Sequence, residues 1–242
     1  MKLGSIKTQL IIFLVCFAFY LSAIDRNTSW LWPLFVAIAS AVLFESAILY
    51  FKHKTFSLTE SSVISGLIIG YVISGDEPWW VFMFASAAAV GAKHLFCISK
   101  KHLFNPAGLG IFLATFFFGA ALEWKGAYLW YVLIPFGVYF ITRIKKLELV
   151  MSYFFASLVL FGIQAIMQKT PLLNIFGYFS YFFIFIMLIE PKTTPVYPLG
   201  KMIFGVGIAL LIFIFNQVGI RFDAELCALL VLNLAVPLLN KL

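Results

Sequence analysis

Charged residues are scarce in this chain, and the scarcity decides its class. Only 11% of the 242 residues are Asp, Glu, Lys or Arg, whereas about a quarter of a soluble domain is charged. Hydrophobic residues make up 63%, and the mean hydropathy is +1.04. No polar stretch is long enough to form a soluble domain. The composition therefore predicts an all-α polytopic membrane protein whose surface mostly faces the lipid bilayer.

Cysteine is equally scarce, and the basic residues form no groove. Cys16, Cys97 and Cys227 lie far apart without a C-x-x-C pair, so they predict neither a disulfide framework nor a zinc or iron–sulfur site on this chain. The net charge of +7 is distributed over short segments between apolar runs. This distribution argues against nucleic acid as a partner.

Apolar runs of helical length recur along the chain, separated by turn residues. At about 20 residues per crossing, they correspond to about ten transmembrane helices. No convincing A-x-A cleavage site follows the first run, so we expect it to remain as the first helix. The predicted helices are 6–24, 30–51, 61–75, 78–92, 106–122, 128–142, 148–167, 172–189, 202–216 and 224–240.

The basic residues predict the orientation of these helices. If the ten runs cross in turn, 13 basic residues fall on the side of both termini and 4 on the other, together the 17 in the sequence. Because cytoplasmic loops are enriched in Lys and Arg, we expect both termini in the cytoplasm and the chain in a prokaryotic inner membrane. The 13 are Lys2, Lys7, Lys52, Lys54, Lys93, Lys100, Lys101, Arg143, Lys145, Lys146, Lys192, Lys201 and Lys241; the 4 are Arg26, Lys125, Lys169 and Arg221.

The two halves of the chain share a motif. Glu77-Pro78 follows the third helix of the first half, and Glu190-Pro191 follows the third helix of the second. With five helices per half, the second copy must be inverted in the membrane. We therefore expect two inverted five-helix repeats, 1–125 and 126–242, in one membrane domain, an arrangement that typically places a ligand at the repeat interface.

Two segments on the expected cytoplasmic side could carry chemistry. Residues 93–110 combine amide, imidazole and ammonium donors with aromatic rings before a helix start, where Pro106 suits the first turn and free N–H groups can face a carbonyl or anion. This donor set suits the edge of a flavin ring, although an ordinary basic loop is the simpler interpretation of the composition alone. Residues 190–201 contain three prolines, two threonines and two lysines, which could hold a ribityl chain or a phosphate, or simply form a rigid turn.

Two polar residues lie inside predicted helices, where they are costly and often functional. Glu45 is close enough to its helix end to pair with Lys52 or Lys93. Asn233, in the last helix, is more typical of an interhelical hydrogen bond than of a ligand contact.

Several motifs, in this order along the chain, resemble one family. They are Ser61-Ser62-Val63-Ile64-Ser65-Gly66-Leu67, Pro78-Trp79-Trp80, Lys93-His94-Leu95-Phe96, Phe104-Asn105-Pro106-Ala107, Glu190-Pro191-Lys192-Thr193-Thr194-Pro195, Gly200-Lys201-Met202-Ile203-Phe204-Gly205 and Leu230-Val231-Leu232-Asn233-Leu234-Ala235-Val236-Pro237-Leu238. The family comprises RnfD, a membrane component of the Rnf ferredoxin:NAD oxidoreductase, and the homologous NqrB of the sodium-pumping NADH:quinone oxidoreductase.

The resemblance implies ten helices in two inverted halves and a non-covalent flavin, riboflavin or FMN, near the cytoplasmic side. In the family this flavin lies close to an Asn-x-x-Asn-Pro-Ala segment, whose second Asn matches Asn105 and whose first matches His102. With the two segments above, the candidate cofactor-binding residues are Lys93, His94, His102, Phe104, Asn105, Pro106, Thr193, Thr194 and Lys201. No catalytic or metal-ligating residue is expected.

The chain departs from the family in its second flavin. Family members carry FMN esterified to a threonine of a Ser-Gly-Ala-Thr-like motif, in a long extracytoplasmic insert between helices five and six. Here that connection is about 123–127, and no Ser-Gly-x-Thr occurs anywhere. Thr170-Pro171-Leu172 only faintly echoes the motif, and Leu199 and Lys201 stand where the family usually has Arg-Gly-Arg. We therefore expect no covalent FMN.

Three hypotheses for the function follow. The first is a flavin-binding redox subunit of an Rnf-like electron-transfer complex, working with other membrane redox subunits or an extracytoplasmic flavoprotein rather than as a self-sufficient enzyme. The second is a transporter or channel for a small solute or a flavin, which the inverted repeats suit equally well. The third is an assembly scaffold without a cofactor.

Overall fold

A computed structural model describes residues 4–54, 58–98 and 101–242 of the chain; Lys2 and Lys100, counted above, lie outside the described residues. The described part contains nine α-helices and one short hairpin. The helices are α1 Ile6–Asp25, α2 Leu31–His53, α3 Glu60–Val72, α4 Trp79–Leu95, α5 Pro106–Phe118, α6 Trp130–Arg143, α7 Leu147–Met167, α8 Pro198–Val218 and α9 Ala224–Leu239, and the hairpin pairs β1 Cys97–Ile98 with β2 Lys101–His102.

Polar or special residues define several helix ends. The side chains of Ser5, Thr59 and Asp223 each accept a hydrogen bond from the backbone N–H three residues further on, which satisfies one of the unpaired N–H groups of a helix start. Pro198 stands at the first position of α8, and Gly219 ends that helix with a φ of 68°. Both are positions that these residue types favour.

The chain divides into two compact units. Unit 1 is formed by Met1–Phe96 and Pro106–Gly126, and unit 2 by Cys97–Asn105 and Ala127–Leu242. The short hairpin thus belongs to unit 2, although α4 and α5 on either side of it belong to unit 1. Whether the two halves of the chain are inverted copies, and on which side the termini lie, stay predictions.

In unit 1, α2 packs against α3 and α4, and α4 packs against α5. Gly66 of α3 lies against the backbone of α2, and Gly110 of α5 lies against the carbonyl group of Ala85 in α4. A side chain at either glycine would collide with backbone atoms, so glycine permits the close helix contacts typical of membrane proteins. The fully buried Tyr71 donates a hydrogen bond to the carbonyl oxygen of Leu14, 2.7 Å away, and so ties α3 to α1.

In unit 2, α8 packs between α7 and α9. Gly205 of α8 faces the backbone of α7 at Leu149, and Gly137 of α6 leaves room for the ring of Phe185. The interior of this unit is rich in aromatic rings, including those of Tyr153 and Phe204.

The eighth expected helix, 172–189, is not a continuous α-helix. It consists of a 3-10 helix, Leu172–Tyr178, and a π-helical turn, Phe183–Met187. The hydroxyl oxygen of Ser180 accepts the backbone N–H of Phe183 at 3.2 Å, and such a side-chain bond competes with the regular helical ladder. With this interrupted segment, the described residues hold apolar segments at all ten expected places.

Helix lengths vary within the set. Four helices, α1, α2, α7 and α8, are long and apolar enough to cross a membrane, whereas α3, α5 and α9 are apolar but shorter. With 13 residues each, α3 and α5 rise about 20 Å, less than the roughly 30 Å of a hydrocarbon core. The chain therefore combines long and short helices in one multi-pass, helical membrane fold.

Candidate functional site

Two predicted flavin ligands, Lys93 and His94, lie in the last turn of α4 in unit 1 and contact the same carboxylate. Lys93 Nζ is 2.6 Å from Glu45 Oε1, and His94 Nε2 is 3.1 Å from Glu45 Oε2. Glu45, on α2, is only 2% exposed, so its charge depends on these two partners. The expected pairing of Glu45 with Lys93 is confirmed, and the donors of both residues are directed at this acid.

In unit 2, one amide joins two segments that are distant in the sequence. Asn233, on α9, is fully buried. Its Oδ1 accepts the backbone N–H of Asn105 at 2.8 Å, and its Nδ2 donates to the carbonyl oxygen of Thr193 at 2.9 Å. Asn105 belongs to the first predicted flavin segment and Thr193 to the second. The two segments therefore meet at Asn233 through their backbones.

The side chain of Asn105 makes a further bond in unit 2. Its Nδ2 donates to the carbonyl oxygen of Met187 at 3.3 Å, and Met187 is the last residue of the π-helical turn. The carbonyl oxygen of Met187 also accepts the backbone N–H of Glu190 at 3.4 Å, so Asn105 adds a second donor to an acceptor at the end of the eighth segment. The neighbouring Phe104 is half-buried, and Pro106 begins α5 as its position predicted.

His102 presents its two ring nitrogens to different side chains. Cys97 Sγ lies 3.8 Å from Nδ1, and Lys192 Nζ lies 3.3 Å from Nε2. An ammonium group only donates, so the Lys192 contact requires Nε2 as the acceptor and assigns the ring proton to Nδ1. The cation of Lys192 thus lies beside His102, one residue before the Thr193 carbonyl that Asn233 holds.

The hydroxyl groups of the two predicted threonines serve the turn after the eighth segment. Thr193 Oγ1 donates to Glu190 Oε2 at 3.3 Å, and Thr194 Oγ1 donates to the carbonyl oxygen of Glu190 at 2.8 Å. Both threonines are buried. These bonds fix the start of the proline-rich segment and direct the hydroxyl protons at Glu190.

Buried lysines hold the rest of the proline-rich segment. Lys201 Nζ donates to the carbonyl oxygen of Lys145 at 2.7 Å and lies 3.2 Å from Glu148 Oε2. Lys146 Nζ donates to the carbonyl oxygen of Pro195 at 2.8 Å. Cations suit the carbonyl groups at helix ends. Lys146 ties the start of α7 to the segment before α8, and Lys201 ties the first turn of α8 to the α6–α7 connection. Lys201, a predicted flavin ligand, is directed at these partners.

The connection between α5 and α6 runs from residue 119 to 129 and is longer than the expected 123–127. Its residues up to Gly126 belong to unit 1. Ser74 N–H donates to the carbonyl of Ala121 at 2.9 Å, and Glu123 N–H donates to the carbonyl of Val72 at 2.9 Å. Lys125 is buried, and its Nζ donates to the carbonyl of Ile73 at 3.1 Å. The connection is therefore bonded along the end of α3 rather than extended away from it.

The threonine considered above, Thr170, is also engaged. Thr170 Oγ1 donates to the carbonyl oxygen of Ala165 at 3.4 Å, and its backbone N–H donates to the same oxygen at 2.9 Å. Thr170 thus closes the end of α7. No group of three or more His, Cys, Asp or Glu residues that could hold a metal occurs among the described residues.

Sequence reasoning missed how the two segments meet. It expected an interhelical hydrogen bond for Asn233, whereas both partners of its side chain lie in segments between helices. It did not predict the contact between Lys192 and His102. In unit 2 the structure brings His102, Asn105 and the Lys192–Thr194 stretch together. An imidazole, an amide and an ammonium group in this arrangement can bind a ligand rich in carbonyl groups or bearing negative charge.

These helices define a multi-pass membrane protein with a polar junction built into one of its units. Comparison with known proteins gives the family: the model of the NQR2, RnfD, RnfE family matches residues 2–132 and 128–242. The chain belongs to this family, which confirms the resemblance found in the sequence.

Three relatives are each named as the D component of an ion-translocating oxidoreductase complex. That of Shewanella amazonensis is 22% identical over 85% of this chain and 82% of its own length. That of Actinobacillus succinogenes is 29% identical over 89% of this chain and 58% of its own, and that of Rhodobacter capsulatus is 38% identical over 31% and 24%. The chain thus spans less than two thirds of the second and third relatives.

Proposed function

We propose that this chain is the flavin-binding membrane subunit of an ion-translocating electron-transfer complex, and that it holds its flavin without a covalent bond. Its relatives bear the name of such a complex. The observation that supports the flavin most is the junction at Asn233, which joins the two segments that the sequence singled out for flavin binding. A flavin bound there would supply the redox chemistry, and the protein would position and tune it.

The donors of unit 2 fit a flavin ring. The pyrimidine edge of the ring presents carbonyl oxygens and gains negative charge on reduction, and the imidazole of His102, the amide of Asn105 and the ammonium of Lys192 are donors of matching kind. The half-buried ring of Phe104 suits an apolar ring face. We assign flavin contact to these four residues.

Other candidate residues receive a supporting role. Glu45 engages Lys93 and His94, carbonyl and carboxylate oxygens engage Lys201, and Glu190 engages both threonines. We assign these five residues to holding their segments in place. Pro106 sets the start of α5.

The proposed complex needs further redox partners. A hydrocarbon core is about 30 Å thick, and a single flavin near one surface does not bridge it. We propose that another membrane redox subunit or an extracytoplasmic flavoprotein completes the electron path.

A visible spectrum of the purified protein tests the flavin. We expect flavin absorption bands that bleach with dithionite and return in air; a colourless preparation is titrated separately with riboflavin and FMN. A protein that binds neither flavin contradicts the proposal. A flavin that is bound and carried across vesicle membranes, without being reduced in the complex, favours the transporter hypothesis instead.

The orientation in the inner membrane, with both termini in the cytoplasm, is part of the proposal and has its own test. In a variant with alanine at all three cysteines, Lys145→Cys should resist a membrane-impermeant thiol reagent in intact cells and Asn27→Cys should react. Both positions are exposed, whereas Lys125 is buried and Ser99 lies outside the described residues. The four residues assigned to flavin contact, His102, Phe104, Asn105 and Lys192, form what we call the flavin surface. The reverse labelling pattern would place this surface on the outer side of the membrane.

A further inference from the structure

We infer that Asn233 is the positioning residue of the flavin surface: it acts on the flavin through the backbone of Asn105 and Thr193, not by direct contact. The inference rests on the proposed function. It concerns a residue on α9, outside the two segments that the sequence assigned to the flavin.

The partners of Asn233 determine the orientation of its amide. One partner is a backbone N–H and the other is a carbonyl oxygen, so Oδ1 must face Asn105 and Nδ2 must face Thr193. Neither an aliphatic side chain nor a carboxylate can make both bonds. The residue is fully buried, so water does not replace a lost partner without rearrangement.

The two hydrogen bonds of Asn233 hold different parts of the flavin surface in place. The Asn105 N–H is the last one before Pro106, which has none, so this bond fixes the chain where it enters α5. The Thr193 carbonyl follows Lys192, whose ammonium lies beside His102. A shift of Thr193 therefore moves Lys192 relative to His102, and a shift of Asn105 moves the amide that donates to Met187.

Besides the bonds of Thr193 and Thr194 to Glu190, the proline-rich segment has anchors further along. Lys146 holds the carbonyl group of Pro195, and Asn240 Oδ1 accepts the backbone N–H of Val196 at 2.8 Å. Asn240 thus provides a matched control, because it is also an asparagine that bonds the backbone of the same segment. It has no bond to the Asn105 side of the surface in the described contacts.

The test compares Asn233→Ala, Asn233→Asp and Asn240→Ala in the full-length protein in detergent. For each variant we would measure riboflavin and FMN affinity, the flavin midpoint potential, and hydrogen exchange in peptides covering residues 101–107 and 190–196. Asn233→Ala should weaken flavin binding about 10-fold or more, because two buried bonds are lost, shift the potential, and speed exchange in both peptides. Asn233→Asp keeps an acceptor for Asn105, so exchange should rise mainly in 190–196.

Asn240→Ala should leave the affinity and the potential within about twofold of wild type, since it loosens only the Val196 end. If Asn233→Ala does not yield a monodisperse protein, Asn233→Gln is tested in its place. The glutamine amide is displaced by one methylene group, so this variant should also lower the flavin affinity and shift the midpoint potential. A folded Asn233 variant with faster exchange but unchanged affinity and potential overturns the inference and leaves the flavin proposal intact. A wild-type protein that binds no flavin overturns both.

Discussion

Two buried polar groups, Glu45 in unit 1 and Asn233 in unit 2, are stabilised in different ways. In unit 1, Glu45 meets Lys93 and His94, so a charge is balanced by side chains of the same unit. In unit 2, the amide of Asn233 meets backbone groups of Asn105 and Thr193. In the first cluster the side chains of Glu45, Lys93 and His94 bind one another. In the second, the Asn233 amide binds only backbone groups, and it thereby positions the side chains of the neighbouring residues, which we propose contact the flavin. The difference favours unit 2 as the place for a ligand.

The third apolar segments of the two halves of the chain also differ, because one is a continuous helix and the other is not. In unit 1, α3 is a continuous helix whose end is covered by residues 119–125. In unit 2, the 172–189 segment is interrupted, and the carbonyl groups of Met187 and Glu190 accept side-chain donors. Breaks in a membrane helix are tolerated where neighbouring groups satisfy the freed backbone. The carbonyl groups of Met187 and Glu190 lie where this segment ends, and the side chains of Asn105 and Thr194 supply donors to them.

The largest expected effect is the complete absence of covalent flavin, which would otherwise belong to the α5–α6 connection of unit 1. This connection is bonded to the end of α3 and lacks a Ser-Gly-x-Thr motif, so we expect no loop that can present a threonine to a modifying enzyme. A denaturing gel should show no flavin fluorescence at 27.3 kDa, while the native protein shows flavin bands. A fluorescent band that disappears in Thr170→Ala would falsify the expected absence of a covalent flavin.

The next effect tests the ionic cluster of unit 1. Lys93→Met leaves the buried Glu45 with His94 as its remaining described partner, and breaking a buried ion pair costs about 3–5 kcal/mol. We expect a large loss of thermal stability in detergent. Lys146→Met in unit 2 removes the bond to the carbonyl group of Pro195 and should cost about 1–3 kcal/mol.

The double variant Glu45→Gln/Lys93→Met is the control for this comparison. Removing both charges should recover most of the stability, because no buried charge is left unpaired. Equal losses in Lys93→Met and Lys146→Met, with no recovery in the double variant, would show that the two units do not differ in this respect.

The sequence predicted helices better than interruptions. The expected 6–24 and 148–167 agree closely with α1 and α7, since both are long apolar runs with clear ends. The 172–189 segment is also apolar. Hydropathy does not predict that a side-chain hydroxyl group, such as that of Ser180, accepts a backbone N–H and interrupts the helix. In the site, the pairing of Glu45 with Lys93 followed from helix positions. The bonds from Asn233 to Asn105 and Thr193 join residues far apart in sequence, and no local pattern reveals them.

A smaller effect is expected for Asn105 in unit 2. Asn105→Ala removes the bond to Met187 and the donor assigned to the flavin. We expect a cost of about 1–3 kcal/mol in flavin binding, or about 5- to 150-fold in affinity. Asn105→Asp should be worse, because its charge opposes a reduced, anionic flavin. Equilibrium titration with flavin and a measured midpoint potential check both variants; unchanged values in a folded Asn105→Ala protein would remove Asn105 from the site.

The smallest expected effect depends on pH and concerns Glu123, in the connection between α5 and α6. Burial acts to raise the pKa of Glu123, but the hydrogen bond and charge of Lys125, with the Gly75 N–H, outweigh it and hold the pKa below its usual value near 4.5. A carboxyl group with a lowered folded pKa stabilises the protein above pH 4.5, and this contribution is lost as the pH falls through the folded value. Because Glu123 is half-exposed, we expect at most about 1 kcal/mol.

Thermal melts of wild type and Glu123→Gln between pH 7 and pH 3 measure this contribution. The two proteins should differ at pH 6 and converge at low pH, because the wild-type carboxylate becomes protonated and then resembles the amide. The matched comparison in unit 2 is Asn233→Ala, whose deficit should not depend on pH, since neither the amide nor its backbone partners titrate in this range. A deficit of Glu123→Gln that persists unchanged at pH 3 would assign the role of Glu123 to packing rather than to its charge, and would remove this connection from the ionic side of the comparison.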